Sequence, residues 1–450
     1  MAIGRWSRRL RDEVSRLEHS VAARTASYLF SHGLFMFLPQ VLGSAALFVA
    51  FVVLARVLPQ ESYGQFVLTR SWMQFLASLL PIGLALASNK FLPKYQHEND
   101  LALTRGFVWF ALATTAAIGL LTIPLIYLFP QGQRIFPDGL FRFLAPVATT
   151  GIAIMILLSS VDRATVASRL AYFPRFLVVP VVFLILIGVA GALSVDQALA
   201  LFTLSVVAGV ILQLATLSFT RGGYVLFGPV RFDVRVWVAA SVPILLIGVA
   251  NDLLRQADML VLGLIAPKDE VALYQAANVL ANFLGLVFGS VHAVVLPKVS
   301  KALAKGDNAE AERSIGLASG ISLSVTLCGA AVLWLSGSTL LQLFGTEYVR
   351  GARTLNILVG AQVMIAALGM SLSVLFVSNF ERLALTVVAL SAVGHVALIG
   401  VLYMWMGIEG AALACLLSIA ASYLACTHIA RTRLGVETTA VVLLKWIKRS

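Results

Sequence analysis

Asp252, Arg255 and Asp258 fall within two helical turns of one another, inside a long apolar region. A fourth charge, Arg70, lies in another apolar run and has no acidic residue within a turn of it. Ionised groups at the centre of a bilayer cost about 2.5–3.5 kcal/mol each on insertion scales, so a chain keeps them only where they pair, face water or bind something. Arginine presents a planar, permanently charged fork that matches phosphate oxygens. Asp252 and Asp258 stand three residues either side of Arg255, a helical spacing at which they can neutralise it. For Arg255, anion contact and internal pairing are both open. The two carboxylates admit a further role, carrying a proton through a conformational cycle.

Polar neighbours extend the patch. Gln74 is one turn from Arg70, and Gln275, Asn278 and Asn282 recur at spacings of three and four. Amides at such positions either contact a hydroxyl-rich ligand or bond neighbouring helices together. His292 and His395 are expected to be packed and hydrogen-bonded. Cys328, Cys415 and Cys426 show no metal-ligand spacing and read as thiols filling helix contacts. No metal and no cofactor is expected, apart from H+ or Na+ if transport is ion-coupled.

The elements that carry these residues follow from composition. Of 450 residues, 60% are hydrophobic and 12% charged, and mean hydropathy is +0.93. Soluble domains average about 45–50% apolar and about 25% charged. The apolar runs are continuous rather than alternating, and a bilayer then leaves only helices. The spacing predicts an all-α polytopic protein of about twelve spans: 34–55, 63–88, 105–129, 139–160, 173–192, 195–220, 236–264, 271–296, 313–335, 352–377, 383–405 and 409–430. Arg70 and Arg255 both lie toward the same face, roughly 8 Å from their span midpoints at about 1.5 Å per residue.

Lys and Arg set the orientation. Loops and tails on the side of the termini hold 25 of them, and the opposite loops hold 6. The positive-inside rule therefore predicts cytoplasmic termini. This asymmetry accounts for the net charge of +12 without a nucleic-acid partner. Residues 5–24 form a basic amphipathic stripe suited to the anionic inner leaflet. The loops opposite the termini are short, which argues against a membrane polymerase or ligase. No phosphate-cradling G-x-x-x-x-G-K-[ST] motif is present.

The chain repeats. The turn at Pro59–Phe66 aligns with Pro267–Tyr274 at an offset of 208 residues, while Leu92–Lys94 and Pro39 align with Leu296–Lys298 and Pro243 at 204. Six spans per half makes the two halves parallel repeats facing a shared cleft. The expected units are 1–33 (basic segment), 34–220 (first lobe), 221–235 (linker), 236–430 (second lobe) and 431–450 (basic tail). From Pro39 to Pro59 is 20 residues and from Pro243 to Pro267 is 24, so the seventh span is one turn longer than the first.

These residues carry a resemblance. Leu54–Phe66 (L-A-R-V-L-P-Q-E-S-Y-G-Q-F), Phe91–Tyr95 (F-L-P-K-Y), Arg255–Ala277, Val295–Ser300 (V-L-P-K-V-S) and Met406–Ala414 (M-G-I-E-G-A-A-L-A) resemble the polysaccharide/oligosaccharide flippase family. That family belongs to the multidrug/oligosaccharidyl-lipid/polysaccharide exporter superfamily. Ala272 departs from it, standing where members often have glycine. The resemblance covers about residues 34–430 and implies a V-shaped pair of six-helix lobes in the cytoplasmic membrane. It implies that a polyprenyl-(pyro)phosphate-linked oligosaccharide is moved by alternating access. Arg70 and Arg255 would then meet the phosphate, and Gln74, Gln275, Asn278 and Asn282 the sugars. Polysaccharide polymerases or assembly proteins become expected partners. The alternative is a cation-coupled exporter of small molecules on the same fold.

Overall fold

The computed structural model describes residues 38–128, 136, 141–165, 173–191, 193–219, 223–378 and 380–439. The basic stripe at 5–24 and the end of the tail lie outside the described residues. Everything regular among them is helical. The first half comprises α1 (Leu38–Val57), α2 (Gln60–Leu79), α3 (Leu84–His97), α4 (Leu101–Leu128), α5 (Phe141–Thr165), α6 (Val179–Ala190) and α7 (Val195–Phe219). The second comprises α8 (Val234–Ile265), α9 (Lys268–Ala304), α10 (Asn308–Leu341), α11 (Ala352–Leu368), α12 (Met370–Val377) and α13 (Glu381–Ile429). Against about twelve expected spans, nine helices among the described residues are long and apolar enough to cross a membrane, or ten with the bent α8. Pro174–Ala190 is apolar but shorter.

The repeat is visible in backbone detail. Pro59 and Pro267 each precede a helix in nearly the same conformation, φ −53° and ψ 147° against φ −59° and ψ 152°. Proline supplies the fixed φ and lacks a donor that a helix start would leave unpaired. Pro93 and Pro297 each sit inside a helix, the matched positions of the two halves.

The halves differ where the sequence read them alike. The second span, expected over 63–88, is interrupted between α2 and α3. Pro81 removes a helical donor there, and Ile82 and Gly83 take left-handed φ values of 46° and 74°. The matching α9 runs straight through. The long final stretch is divided at Gly407, whose φ of 60° and ψ of −142° no helix contains. Only glycine adopts that conformation readily, so the M-G-I-E-G motif is where the chain turns back. At about 1.5 Å per residue the 49-residue α13 is too long for one crossing of a core about 30 Å thick.

The seventh span is bent. Val234–Ala250 and Arg255–Ile265 meet at 68°. The longer span expected from the repeat is therefore not a longer rod: the charged segment coincides with a bend. The part before the bend packs on the first lobe, with Trp237, Ala240 and Ile244 set against Leu84, Phe91, Tyr95 and Phe107. The Trp237 indole donates to the Tyr95 hydroxyl at 2.9 Å. The part after the bend places Ala257, Met259 and Leu262 in the core shared with α9.

The linker is likewise fastened to the first lobe. Arg231 N–H donates to the Ala102 carbonyl at 2.9 Å, Arg105 to the Tyr224 carbonyl at 2.7 Å and the Trp109 indole to the Leu226 carbonyl at 3.0 Å. Arg231 also pairs with Asp100. The 221–235 segment read as a linker thus joins its lobes through a docked strap, and the chain leaves the first lobe at the bend of α8.

Candidate functional site: the space between the lobes

At the end of the molecule marked by Pro59 and Pro267 the lobes share one hydrophobic core. It runs from Phe51, Leu54 and Tyr63 through Tyr274 and Leu280 to Phe344 and Tyr348. Phe48 meets Phe283 and Phe344 edge-on across it, with ring centroids 5.2 and 5.8 Å apart. Polar contacts reinforce the closure. Arg56 Nε donates to the Leu343 carbonyl at 2.6 Å, and Gln60 Nε2 to the Asp269 carbonyl at 3.2 Å. At the opposite end the cores are separate: one belongs to the first lobe, and two smaller ones, around Ile315 with Val374 and around Leu375 with Cys426, belong to the second. Except where α8 leans on α3, the lobes part toward that end.

Arg70 projects from α2 about ten residues from the closed end. At about 1.5 Å per residue that is roughly 15 Å along the helix. Its guanidinium lies over the Phe51 ring at 5.1 Å and the Phe202 ring at 5.8 Å. The aromatic faces supply negative potential, worth about 0.5–2 kcal/mol each when desolvated. They supply no counter-charge. Arg70 Nε is buried with no hydrogen-bond partner, and among the described residues no carboxylate pairs with the group. Gln74 is half-buried one turn further along.

Arg255 lies ten residues before the closed end of α8, matching the depth of Arg70. It is exposed, and among the described residues it pairs with neither Asp252 nor Asp258. Asp252 is half-buried. Of the two readings left open, pairing with Asp258 fails because that carboxylate is turned to other groups. Tyr274 Oη donates to Asp258 Oδ2 at 2.7 Å, and His395 Nε2 stands 2.7 Å from Asp258 Oδ1. The imidazole contact has the distance of an ion pair without the alignment of a hydrogen bond. Asp258 is 8% exposed and His395 1%. Cys415 completes this group, its Sγ within 4.8 Å of the Asp258 and His395 donor atoms.

His395, Tyr274 and Cys415 are the residues that sequence reasoning missed. No spacing connects them to Asp258, since they arrive from α9 and from both sides of the Gly407 break. A signal did exist: a buried carboxylate requires a partner, and His395 is a lone titratable group in the middle of an apolar run.

The amides form a ladder. Asn282 Nδ2 donates to Asn278 Oδ1 at 2.9 Å, and Gln362 Nε2 donates to Asn282 Oδ1 at 3.0 Å. Asn282 is exposed and Asn278 half-buried, so the ladder ties α9 to α11 while leaving polar edges accessible. Gln275, one turn earlier, is buried. The structure brings Asn278 and Asn282 together. It brings Arg70 and Arg255 to similar depth on separate lobes without joining them.

Comparison with known proteins agrees with this geometry. Residues 31–303 match the family model described as "Polysaccharide biosynthesis protein". A comparison with curated protein sequences gives no match. Among solved structures, an inward-facing multidrug resistance MATE family transporter of the MOP superfamily is similar over 90% of this chain and 98% of its own, with a TM-score of 0.72 and 15% identity. The lipid II flippase MurJ in an inward closed conformation is similar over 90% of this chain and 88% of its own, with a TM-score of 0.69 and 15% identity. A MOP superfamily transporter from Pyrococcus furiosus gives a TM-score of 0.65 at 14% identity, over 90% of this chain and 95% of its own. At these identities the likeness is one of fold.

Proposed function

The chain belongs to the polysaccharide biosynthesis protein family and has the fold of the MOP transporters, and from this premise we propose that it is a flippase for a polyprenyl-(pyro)phosphate-linked oligosaccharide. The observation that carries the proposal is Arg70. A guanidinium within a membrane span, boxed by two aromatic rings and lacking a counter-ion among the described residues, is a site that waits for an anion. The phosphate of a lipid carrier supplies one. Arg255 matches it in depth on the other lobe. An exposed, unpaired charge at that depth faces a water-filled space rather than lipid.

With the termini cytoplasmic, as the distribution of Lys and Arg supports, the parted end opens to the cytoplasm and the shared core closes the outer end. The headgroup enters between the lobes and exchanges its water for the two arginines, while its lipid tail stays in the bilayer. The accessible edges of Asn278 and Asn282, with Gln74, meet sugar hydroxyls. Reversal of the closure, opening the Pro59–Pro267 end and closing the other, releases the headgroup outward. The chain works as a transporter rather than an enzyme, in the cytoplasmic membrane. The N-terminal basic segment lies on anionic lipid, and a polysaccharide polymerase consumes the product.

A deletion strain tests this reading against export of small cationic molecules. Loss of surface polysaccharide with unchanged drug sensitivity supports the flippase. Drug hypersensitivity with intact polysaccharide overturns it.

A further inference from the structure

The Asp258 cluster lies one turn beyond Arg255 and has a chemistry of its own. Three different donor types converge there: a carboxylate from α8 beyond its bend, an imidazole from α13 before Gly407 and a thiol from α13 after it. The turn at Gly407 makes the convergence possible. His395 lies twelve residues before it and Cys415 eight after, so the two segments run back past each other.

Three observations distinguish this cluster from ordinary packing. The donor atoms all lie within 4.8 Å of one another. Among the described residues neither ring nitrogen of His395 finds a hydrogen-bond partner, although the residue is only 1% exposed. Tyr274 holds one oxygen of Asp258 and leaves the other turned toward the imidazole. A hydrogen bond that fixes one carboxylate oxygen and frees its neighbour is the usual support of a metal-ligating carboxylate.

We propose that Asp258, His395 and Cys415 form a binding site for a divalent transition-metal ion of borderline softness, with zinc as the type case. Sodium and magnesium favour oxygen donors, whereas imidazole and thiolate select zinc and its neighbours. Charge favours the same choice. A bound ion holds its thiol deprotonated, so carboxylate and thiolate together offset a divalent charge and the site is neutral in an apolar core. The Cys415 proton passes to water as the sulfur–metal bond forms. Three protein ligands leave a fourth position for water. Zinc bonds of about 2.0–2.3 Å require the Asp258–His395 contact to open slightly and Cys415 to close in. The ion would fasten α8 beyond its bend to both segments of α13 and so hold that part of α8 to the second lobe. This site stands independently of the glycolipid reading.

Cobalt(II) is a direct probe. The full-length protein, purified in detergent and stripped with chelator, is titrated with cobalt. The expected result is a thiolate-to-cobalt charge-transfer band that saturates at one ion per chain and disappears when one equivalent of zinc is added. Cys415→Ser abolishes the band, Cys415→His keeps binding but loses the band, and His395→Gln lowers affinity at least tenfold. Cys328→Ser leaves the band intact. Mass spectrometry of the wild-type protein gives a readout that needs no variant: zinc protects Cys415 from alkylation at least tenfold more than Cys328. Absence of a saturable band, a band indifferent to Cys415→Ser in a folded variant, or equal alkylation of Cys415 with and without zinc would overturn the proposal.

Discussion

Gly64 on α2 lies so close to Lys268 at the start of α9 that a Cβ there would stand 1.8 Å from the Lys268 carbonyl oxygen. The two helices are repeat counterparts, and their contact sets how tightly the lobes close at this end. Its partner position in the other half, Ala272, is fully buried with its methyl group accommodated. The resemblance to the flippase family left Ala272 as an irregularity, and the packing shows that one glycine of the pair is enough.

Gly64→Ala therefore opposes the closed end. The backbone oxygen cannot move aside as a flexible side chain can, so the lobes must separate there. Cysteines replacing Gln60 and Asp269 report on this gap. Their cross-linking is expected to slow several-fold in the Gly64→Ala background, with transport reduced. Unchanged cross-linking would show that the helices do not close at this contact.

Arg70→Ala is expected to lower transport at least tenfold at normal protein levels. Arg70→Lys recovers only part of it, since an ammonium lacks the fork and stacks less well on Phe51 and Phe202. Arg255→Ala has a smaller effect, because Arg255 is exposed and not boxed by rings. Full activity of both alanine variants contradicts the headgroup role.

His395→Leu leaves the Asp258 carboxylate buried without its imidazole neighbour. Removing one member of a buried polar pair costs about 3–5 kcal/mol, whereas His395→Leu with Asp258→Leu removes both polar groups and is expected to recover most of that loss. Thermal unfolding in detergent checks the order of the variants: the double variant should melt above His395→Leu alone. Additive losses would indicate that Asp258 and His395 are not coupled.

The strap behaves differently. In the Asp100–Arg231 pair the arginine side chain is 62% exposed, and such pairs contribute about 0–1 kcal/mol. Arg231→Ala, which removes the pair and keeps the Asp100 oxygen that caps α4 through Leu103 N–H, is expected to leave stability within about 1 kcal/mol of wild type. Trp237→Ala, which empties a fully buried aromatic site between α8 and the first lobe, costs about 3–5 kcal/mol. The contrast in unfolding temperature tests whether α8 is anchored to the first lobe by packing rather than by charge.

The all-helical membrane fold was legible because the bilayer leaves few alternatives to a chain this apolar, and the repeat because prolines mark matched turns at Pro59 and Pro267. The bend of α8 was half legible. Counting from Pro243 to Pro267 located extra residues, but a residue count cannot tell a longer rod from a bent one. The break at Ile82–Gly83 was signalled by Pro81, which removes a helical donor, and by Gly83, which takes positive φ readily. The Asp258 group was not legible, since its members converge from three segments and only the turn at Gly407 aligns His395 with Cys415. Arg70 stood out by residue type alone, while its aromatic box required α1 and α7 to be in place.

The central claim, that the lobes carry a lipid-linked oligosaccharide between leaflets, is tested most directly by locating that lipid. In a deletion strain, the undecorated pool is assayed for accessibility at each face of right-side-out and inverted membrane vesicles. The account predicts accumulation at the cytoplasmic face, relieved by the wild-type chain and not by Arg70→Ala. Accumulation at the outer face, or no accumulation at all, would contradict it.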